Sequence, residues 1–335
     1  MNYKTLGKTG EQLSTIGLGC MGMSFQGYGD FKEEESIATL HKALDLGINF
    51  WDTADIYGFG ENEKLLSKVL VPNRDKVFIA TKFGFRTKEG NKDANNISTS
   101  SYIDGSPEWI KQAVDNSLQR LGVDHIDLYY AHRIDPTIAI EETVGAMADL
   151  VKAGKIKYLG LSEASPESIK KAYKIHPIAA LQSEYSLLTR DVEKEILPII
   201  RELGISLVPY SPMARGLFNN ITDLNTLSET DFRKTLPRYQ SEYLENNLLL
   251  AKELNEFAST KNSTGSQLAL AWVLAQGEDI IPIPGTKRVK YLEQNAEATK
   301  LHLNENDLNI IDDILKKYPN VGDRYTEAAM KLVNN

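Results

Sequence analysis

INFWDTADIYGFGENEKLL, residues 48–66, contains one complete structural unit. A short apolar run, 48–52, ends in the carboxylate of Asp52, and Asp55, Tyr57 and two glycines follow before a charged amphipathic segment begins. Strand, loop and helix in that order is one βα unit. Similar apolar runs recur at 16–19, 77–82, 126–131, 158–161, 181–184, 206–210 and 280–283, which with 48–52 makes eight. Helical periodicity fills the gaps at 32–46, 107–121, 138–153, 166–173 and 191–203. Ser106, Pro107 and Gly122 supply start and stop signals for one of these helices, and Ser165-Pro166-Glu167 repeats the start signal for another.

Nearly continuous apolar strands alternating with helices imply a parallel sheet covered by helices. An open doubly wound sheet is one solution, but a closed (β/α)8 barrel fits the count and the length better. The opening YKTLGKTGEQLS reads as a β-hairpin. Gly17, Gly19 and Gly22 in GLGCMG imitate a dinucleotide fingerprint, yet MSFQGYGD continues as loop where that fingerprint needs a helix. No Pro/Ser-rich linker divides the chain, so one domain over 1–335 is expected, with a tail at about 318–335. Two loops are long enough to be functional, 213–247 and the polar stretch 90–106.

At 335 residues, 41% hydrophobic and 25% charged, the composition is that of a globular protein with a substantial core. A net charge of −8 argues against a nucleic-acid or acidic-membrane surface. No apolar run reaches 18 residues and the N-terminus lacks a signal-peptide core, so a cytoplasmic protein without a membrane partner is expected. The single cysteine, Cys20, provides neither a disulfide nor a thiolate metal site, and no metal is expected.

In a (β/α)8 barrel the chemistry lies at the C-terminal ends of the strands. Asp52 ends the second run with Tyr57 in the loop behind it, Lys82 ends the third and His132 follows the fourth. Each alone has an ordinary reading as a cap, a solvated charge or a loop ring, but together they make a proton-donating site. A phenol of pKa near 10 is a poor acid at neutral pH. A neighbouring ammonium is expected to lower that value, with Asp52 holding the ammonium in place and His132 orienting a carbonyl oxygen. Asp55, in the loop and without an evident partner, is read as structural.

With these residues stand VFIATKFG (77–84), LQRLGVDHIDLYYAHRIDP (118–136), GKIKYLGLSEAS (154–165), LQSEYSLLTRD (181–191), VPYSPMARGLF (208–218) and IPIPGTKRVKYLEQN (281–295). Together they resemble the aldo-keto reductase superfamily over roughly residues 1–317. GLGCMGMS, HRIDP and SEYSL bring the chain closest to its 13-type branch. The resemblance implies a tetrad of Asp52, Tyr57, Lys82 and His132, Tyr57 being the proton donor, and reduction of an aldehyde or ketone by a nicotinamide dinucleotide. It makes Ser162 and Gln182 partners of the nicotinamide carboxamide and stacks Tyr210 on the ring. It also wraps the pyrophosphate with Ser211, Pro212, Met213, Ala214 and Gly216. Glu163 stands where the family more often has Asn, and Ala214 where it commonly has Gly.

The basic cluster at Pro284, Gly285, Thr286, Lys287 and Arg288 precedes a helix, where backbone amides and two cations suit a 2′-phosphate, so NADPH is expected over NADH. Tyr291 occupies the place of an arginine used in other branches, and Gln294 and Asn295 resemble the pair that reads adenine. The substrate pocket is expected from Met23, Phe25, Tyr28, Phe85, Trp109 and the 213–247 loop, a lining suited to small carbonyl compounds. Monomer and homo-oligomer both remain open, as does whether the tail covers the site or serves self-association. Two other functions use the same residues. One is a nucleotide-binding regulatory subunit with little turnover. The other is a glycoside hydrolase using Asp52, Asp55 and Glu184, which requires paired carboxylates, whereas Asp52 beside Lys82 is expected to stay ionised.

Overall fold

The structure is a computed structural model and describes residues 1–24, 29, 31–87, 101–219, 227–229 and 231–333. A hairpin of β1 (Tyr3–Thr5) and β2 (Gln12–Ser14) precedes β3 (Leu18–Gly19), β4 (Phe50–Asp52) and β5 (Phe78–Phe83). A second hairpin, β6 (Phe85–Thr87) with β7 (Ser101–Ile103), leads to β8 (Ile126–Ala131), β9 (Ile156–Ser162), β10 (Ile178–Glu184) and β11 (Ser206–Tyr210). β3, β4, β5, β8, β9, β10 and β11 form one seven-stranded parallel sheet in chain order, which is the topology of a (β/α)8 barrel.

The eighth expected strand is not a regular one. Residues 280–285 occupy its place through parallel bridges, Ile280 to Leu207 on one side and Gly285 to Gly19 on the other. Ile281 and Ile283 donate to the carbonyls of Leu207 and Pro209 at 2.9 and 3.0 Å, while Gly17 and Gly19 donate to those of Pro282 and Pro284 at 2.8 and 3.3 Å. Pro282 and Pro284 have no N–H to return to the first strand. The seam therefore closes with half its ladder. Gly17 and Gly19 belong to this seam: a Cβ on Gly17 would lie 2.7 Å from Phe50 Cδ1 and 2.8 Å from Ile283 Cγ2, and one on Gly19 would lie 2.8 Å from the Ile283 carbonyl oxygen. Two of the three glycines that imitate a dinucleotide fingerprint, Gly17 and Gly19, let the barrel close.

Helix Pro107–Leu121 begins where expected. The Ser106 hydroxyl accepts the Trp109 amide at 3.3 Å, and Gly122 ends the helix at φ 67°. Ser165 caps Pro166–Ile175 in the same way. The stretch expected to be loop up to residue 247 is shorter, because helix Ser241–Thr260 starts six residues earlier and short 3-10 turns at Phe232–Thr235 and Pro237–Tyr239 lead into it. Most of the polar 90–106 loop lies outside the described residues.

Alternation along the strands divides the core. Phe50, Phe78, Ala80, Leu128, Tyr130, Val208, Ile281 and Ile283 fill the barrel. Their neighbours Trp51, Ile79, Tyr129 and Leu207 pack outward against the helices. Leu6 and Leu13 of the N-terminal hairpin join the inner cluster and are almost fully buried. Two three-residue strands alone would be marginal. Burying each leucine contributes roughly 1.5–3 kcal/mol, enough to fix the hairpin to the barrel. Among the described residues no helix is long and apolar enough to cross a membrane. Replacing Gly17 with alanine should lower the unfolding free energy by about 1–3 kcal/mol through overpacking of the seam, measured as a fall in the urea midpoint at unchanged slope.

Candidate active site

The period of two that buries Phe50, Phe78, Ala80, Leu128 and Tyr130 also points the next inward positions, Asp52, Lys82 and His132, into the barrel mouth. Ser162, Gln182 and Tyr210 occupy equivalent inward positions at the ends of β9, β10 and β11, Gln182 lying in register with Ser162. Six polar side chains thus cap one apolar interior.

Lys82 is fully buried. Its ammonium donates to Asp52 Oδ1, to the Thr53 carbonyl at 2.7 Å and to Tyr57 Oη at 3.4 Å, three acceptors for three protons. Burial works against its charge, but Asp52 and Tyr57 together hold its pKa above the ordinary lysine value. Asp52 spends its second oxygen on Gln182 Nε2 at 2.8 Å. Burial pushes the Asp52 carboxyl up, and Lys82 opposes that shift.

An ammonium can only donate, so Tyr57 Oη accepts from Lys82 and its own proton is left for another acceptor. Its acidity departs from expectation. Lys82 does pull the phenol pKa down, but burial outweighs it and the net direction is upward from 10. Tyr57 is therefore a protonated phenol at neutral pH. The His132 ring meets Tyr57 edge to face with centroids 5.8 Å apart and meets Phe85 the same way at 4.9 Å. Burial, then Lys82 and Arg133, push the imidazole pKa well below its usual value, so the ring is neutral, and its buried Nδ1 has no partner.

Arg133 donates through one NH1 to the His132 carbonyl at 2.7 Å and to Ser162 Oγ at 3.1 Å. Glu163, at φ 53°, faces Arg324 in a bidentate pair at 3.0 and 2.9 Å and also accepts the Glu184 amide at 2.9 Å. Glu184 in turn takes Arg215 at 2.8 Å, Arg238 at 3.3 Å and the Thr189 hydroxyl at 2.9 Å. Burial opposes the Glu184 charge, but the arginines together hold its pKa below the ordinary glutamate value. The hydrolase alternative is not favoured: of its three carboxylates Asp52 and Glu184 are committed to cations, which leaves Asp55 without a second free carboxylate from that set.

The tail lies on the barrel top. Arg324 is clamped to Glu163, and Tyr325 shares a 3.0 Å hydroxyl contact with Tyr210 beneath the Arg215 guanidinium, 4.3 Å from its ring. The sequence flagged Glu163 only as a departure from Asn, and its partner, 161 residues away, carries no local signal.

In the 211–216 loop, Ser211, Ala214 and Arg215 are left-handed, and the amides of Ala214 and Gly216 close turns onto Ser211 and Met213. Pro212 lies between them. A cavity of about 60 Å³ brings Met213 together with Gly285, Thr286, Tyr291, Gln294 and Asn295. The Asn295 amide nitrogen is buried there without a partner. Pro284 lies in the seam segment, its carbonyl accepting the Gly19 amide. Thr286 bonds the Arg288 amide at 3.1 Å, Lys287 reaches the Gly29 carbonyl at 2.9 Å, and Arg288 starts helix Val289–Ala298 with no acid in its first turn.

Phe85 and Trp109 share a larger cavity of about 270 Å³ with Asp55, Ile56, Phe59, Arg86 and Arg120, among others. Met23 lines neither cavity. It is fully buried between barrel and helices, because its 3-10 turn directs it inward. Phe25 and Tyr28 lie outside the described residues. Asp55, expected to be structural, lines the larger cavity with its buried Oδ1 unpaired, and burial and then Glu63 raise its pKa well above the ordinary range. Among the described residues no cluster of metal-ligating side chains occurs.

Residues 15–316 match the model of the aldo/keto reductase family. The chain is 44% identical to a probable aldo-keto reductase 1 of Glycine max over 96% of this chain and 90% of that one. Its fold superposes on a glycerol dehydrogenase of Gluconobacter oxydans with a TM-score of 0.86 at 28% identity, covering 95% and 96% of the two chains. An aldo-keto reductase of Bacillus halodurans in its holo form gives 0.77 at 30% identity over 94% and 96%. With the barrel and the strand-end residues in place, the chain belongs to the aldo/keto reductase family of oxidoreductases.

Proposed function

We propose that the protein reduces aldehydes or ketones to alcohols with NADPH, Tyr57 giving the proton. The observation that carries the reading is the Lys82 ammonium, which uses Tyr57 Oη as an acceptor and leaves the phenolic proton to donate. A nicotinamide dinucleotide, the cofactor of this family, supplies a hydride when bound.

The residues fit that cofactor at both ends. Ser162 Oγ and Gln182 Oε1 are the groups to hold the carboxamide, since Gln182 has committed only its nitrogen to Asp52. The unpartnered Asn295 amide and the adjoining Gln294 suit a base, and the acid-free helix start beside Lys287 and Arg288 suits a phosphate. As charge develops on the substrate oxygen, Tyr57 passes its proton from Oη. Lys82 stands ready to stabilise the phenolate left behind, and Asp52 keeps Lys82 charged. Neutral His132 offers one N–H to the same oxygen and fixes the direction of approach. A raised phenol pKa serves this role, because the proton stays on Tyr57 until the substrate oxygen becomes the stronger base.

Tyr57→Phe should cut kcat/KM for a small aromatic aldehyde by about 100- to 10,000-fold. NADPH affinity, followed by fluorescence titration, should stay within about threefold. A variant as fast as the parent removes Tyr57 from the role, and a parent that binds NADPH tightly but turns over no carbonyl supports the regulatory-subunit alternative. The double variant Lys287→Ala/Arg288→Ala should raise KM for NADPH by roughly tenfold or more while leaving KM for NADH nearly unchanged. Equal effects on the two cofactors contradict a 2′-phosphate at this loop.

A further inference from the structure

The arginines at the barrel mouth are matched to carboxylates with one exception. Arg215 and Arg238 share Glu184, Arg324 holds Glu163 at both oxygens, and Arg86 takes Asp104 at 2.8 Å. Arg133 has no carboxylate within salt-bridge reach among the described residues. The nearby Glu163 carboxylate is already filled by Arg324 and the Glu184 amide.

Arg133 is half-buried, and its Nε is buried with no acceptor. A guanidinium has five donors and its charge-assisted bonds are the strong ones, so a desolvated Nε without an acceptor is costly. The side chain is also held in place, because NH1 is fixed on the His132 carbonyl and on Ser162 Oγ. It follows His132 directly in the chain, and its charge is felt at the Tyr57 phenol and the His132 imidazole.

We propose that Arg133 is a specificity-determining residue that receives an anionic group, a carboxylate, on the carbonyl substrate, so that the site favours oxo acids over their neutral counterparts. The inference rests on the carbonyl-reductase reading above. The guanidinium lies beside the residues assigned to the reacting oxygen. The phosphates of the cofactor are assigned to 211–216 and 284–288, on other loops. A carboxylate a short distance from the carbonyl carbon would give the unpaired charge its counterion. Ser162 accepts from Arg133, which leaves the serine proton free to donate to a carboxamide.

The test compares phenylglyoxylate with its methyl ester, which presents the same ketone without the charge, using full-length protein and NADPH. The parent should prefer the acid in kcat/KM. Arg133→Met should lower the acid-to-ester ratio by about 10- to 100-fold, mainly through KM for the acid, and Arg133→Lys should retain part of the preference. An unchanged ratio overturns the proposal. So does an equal loss on both substrates with weakened NADPH binding, which would make Arg133 a cofactor residue. Calorimetric titration with benzoate against benzamide separates this inference from the reading it rests on. If no carbonyl is reduced but benzoate binding is lost in Arg133→Met, the anion site stands and the reductase reading falls. If benzoate binds parent and Arg133→Met alike, the anion site falls.

Discussion

A lysine ammonium with no exposure to solvent is the constraint around which the barrel mouth is organised. An ion removed from water costs several kcal/mol unless its charge and all its protons find partners. Lys82 finds them on two other segments: Asp52 at the end of β4, and Thr53 and Tyr57 in the loop that follows. Asp52 is then tied to Gln182 on the far side of the barrel. One buried charge thereby fixes the position of a carboxylate, a phenol and an amide from separate elements, and the proton of Tyr57 is left for another acceptor.

Most of this was legible from the apolar runs and the polar residues that end them. Asp52, Lys82 and His132 stand where the apolar runs end, and the structure shows why they meet: the alternation that puts Phe50, Phe78 and Leu128 inside the barrel points them into its mouth. The parts that were not legible depend on tertiary environment. The eighth strand loses regularity because two prolines withhold N–H groups from the seam. The Tyr57 phenol goes up in pKa where the lysine alone would take it down, because desolvation is set by packing that no residue list contains. Met23 turns inward for a similar reason: its neighbourhood in the chain reads as loop, but its turn faces the core.

The ion pairs at the strand ends were the least legible feature. Glu163, Glu184, Arg215, Arg238 and Arg324 are distributed over more than 160 residues, and only Arg324 comes from the tail that lies over the barrel. Each carboxylate is bound by more than its charge. Glu163 also takes a backbone amide and Glu184 a threonine hydroxyl, which is the condition under which buried pairs remain stable. The tail therefore reaches the strand ends: Tyr325 meets the hydroxyl of Tyr210, the residue that the family resemblance stacks on the nicotinamide.

The account turns on whether Tyr57 keeps its proton at neutral pH while bonded to an ammonium. Carbon-13 NMR of protein labelled at the tyrosine ζ carbon, titrated from about pH 7 to about pH 11 with the Tyr57 signal assigned by its absence in Tyr57→Phe, reads this directly. A Tyr57 resonance that remains that of a phenol past the ordinary tyrosine pKa of about 10 is the expected result. A phenolate forming between about pH 7 and about pH 9 would contradict it, since the ammonium would then outweigh burial.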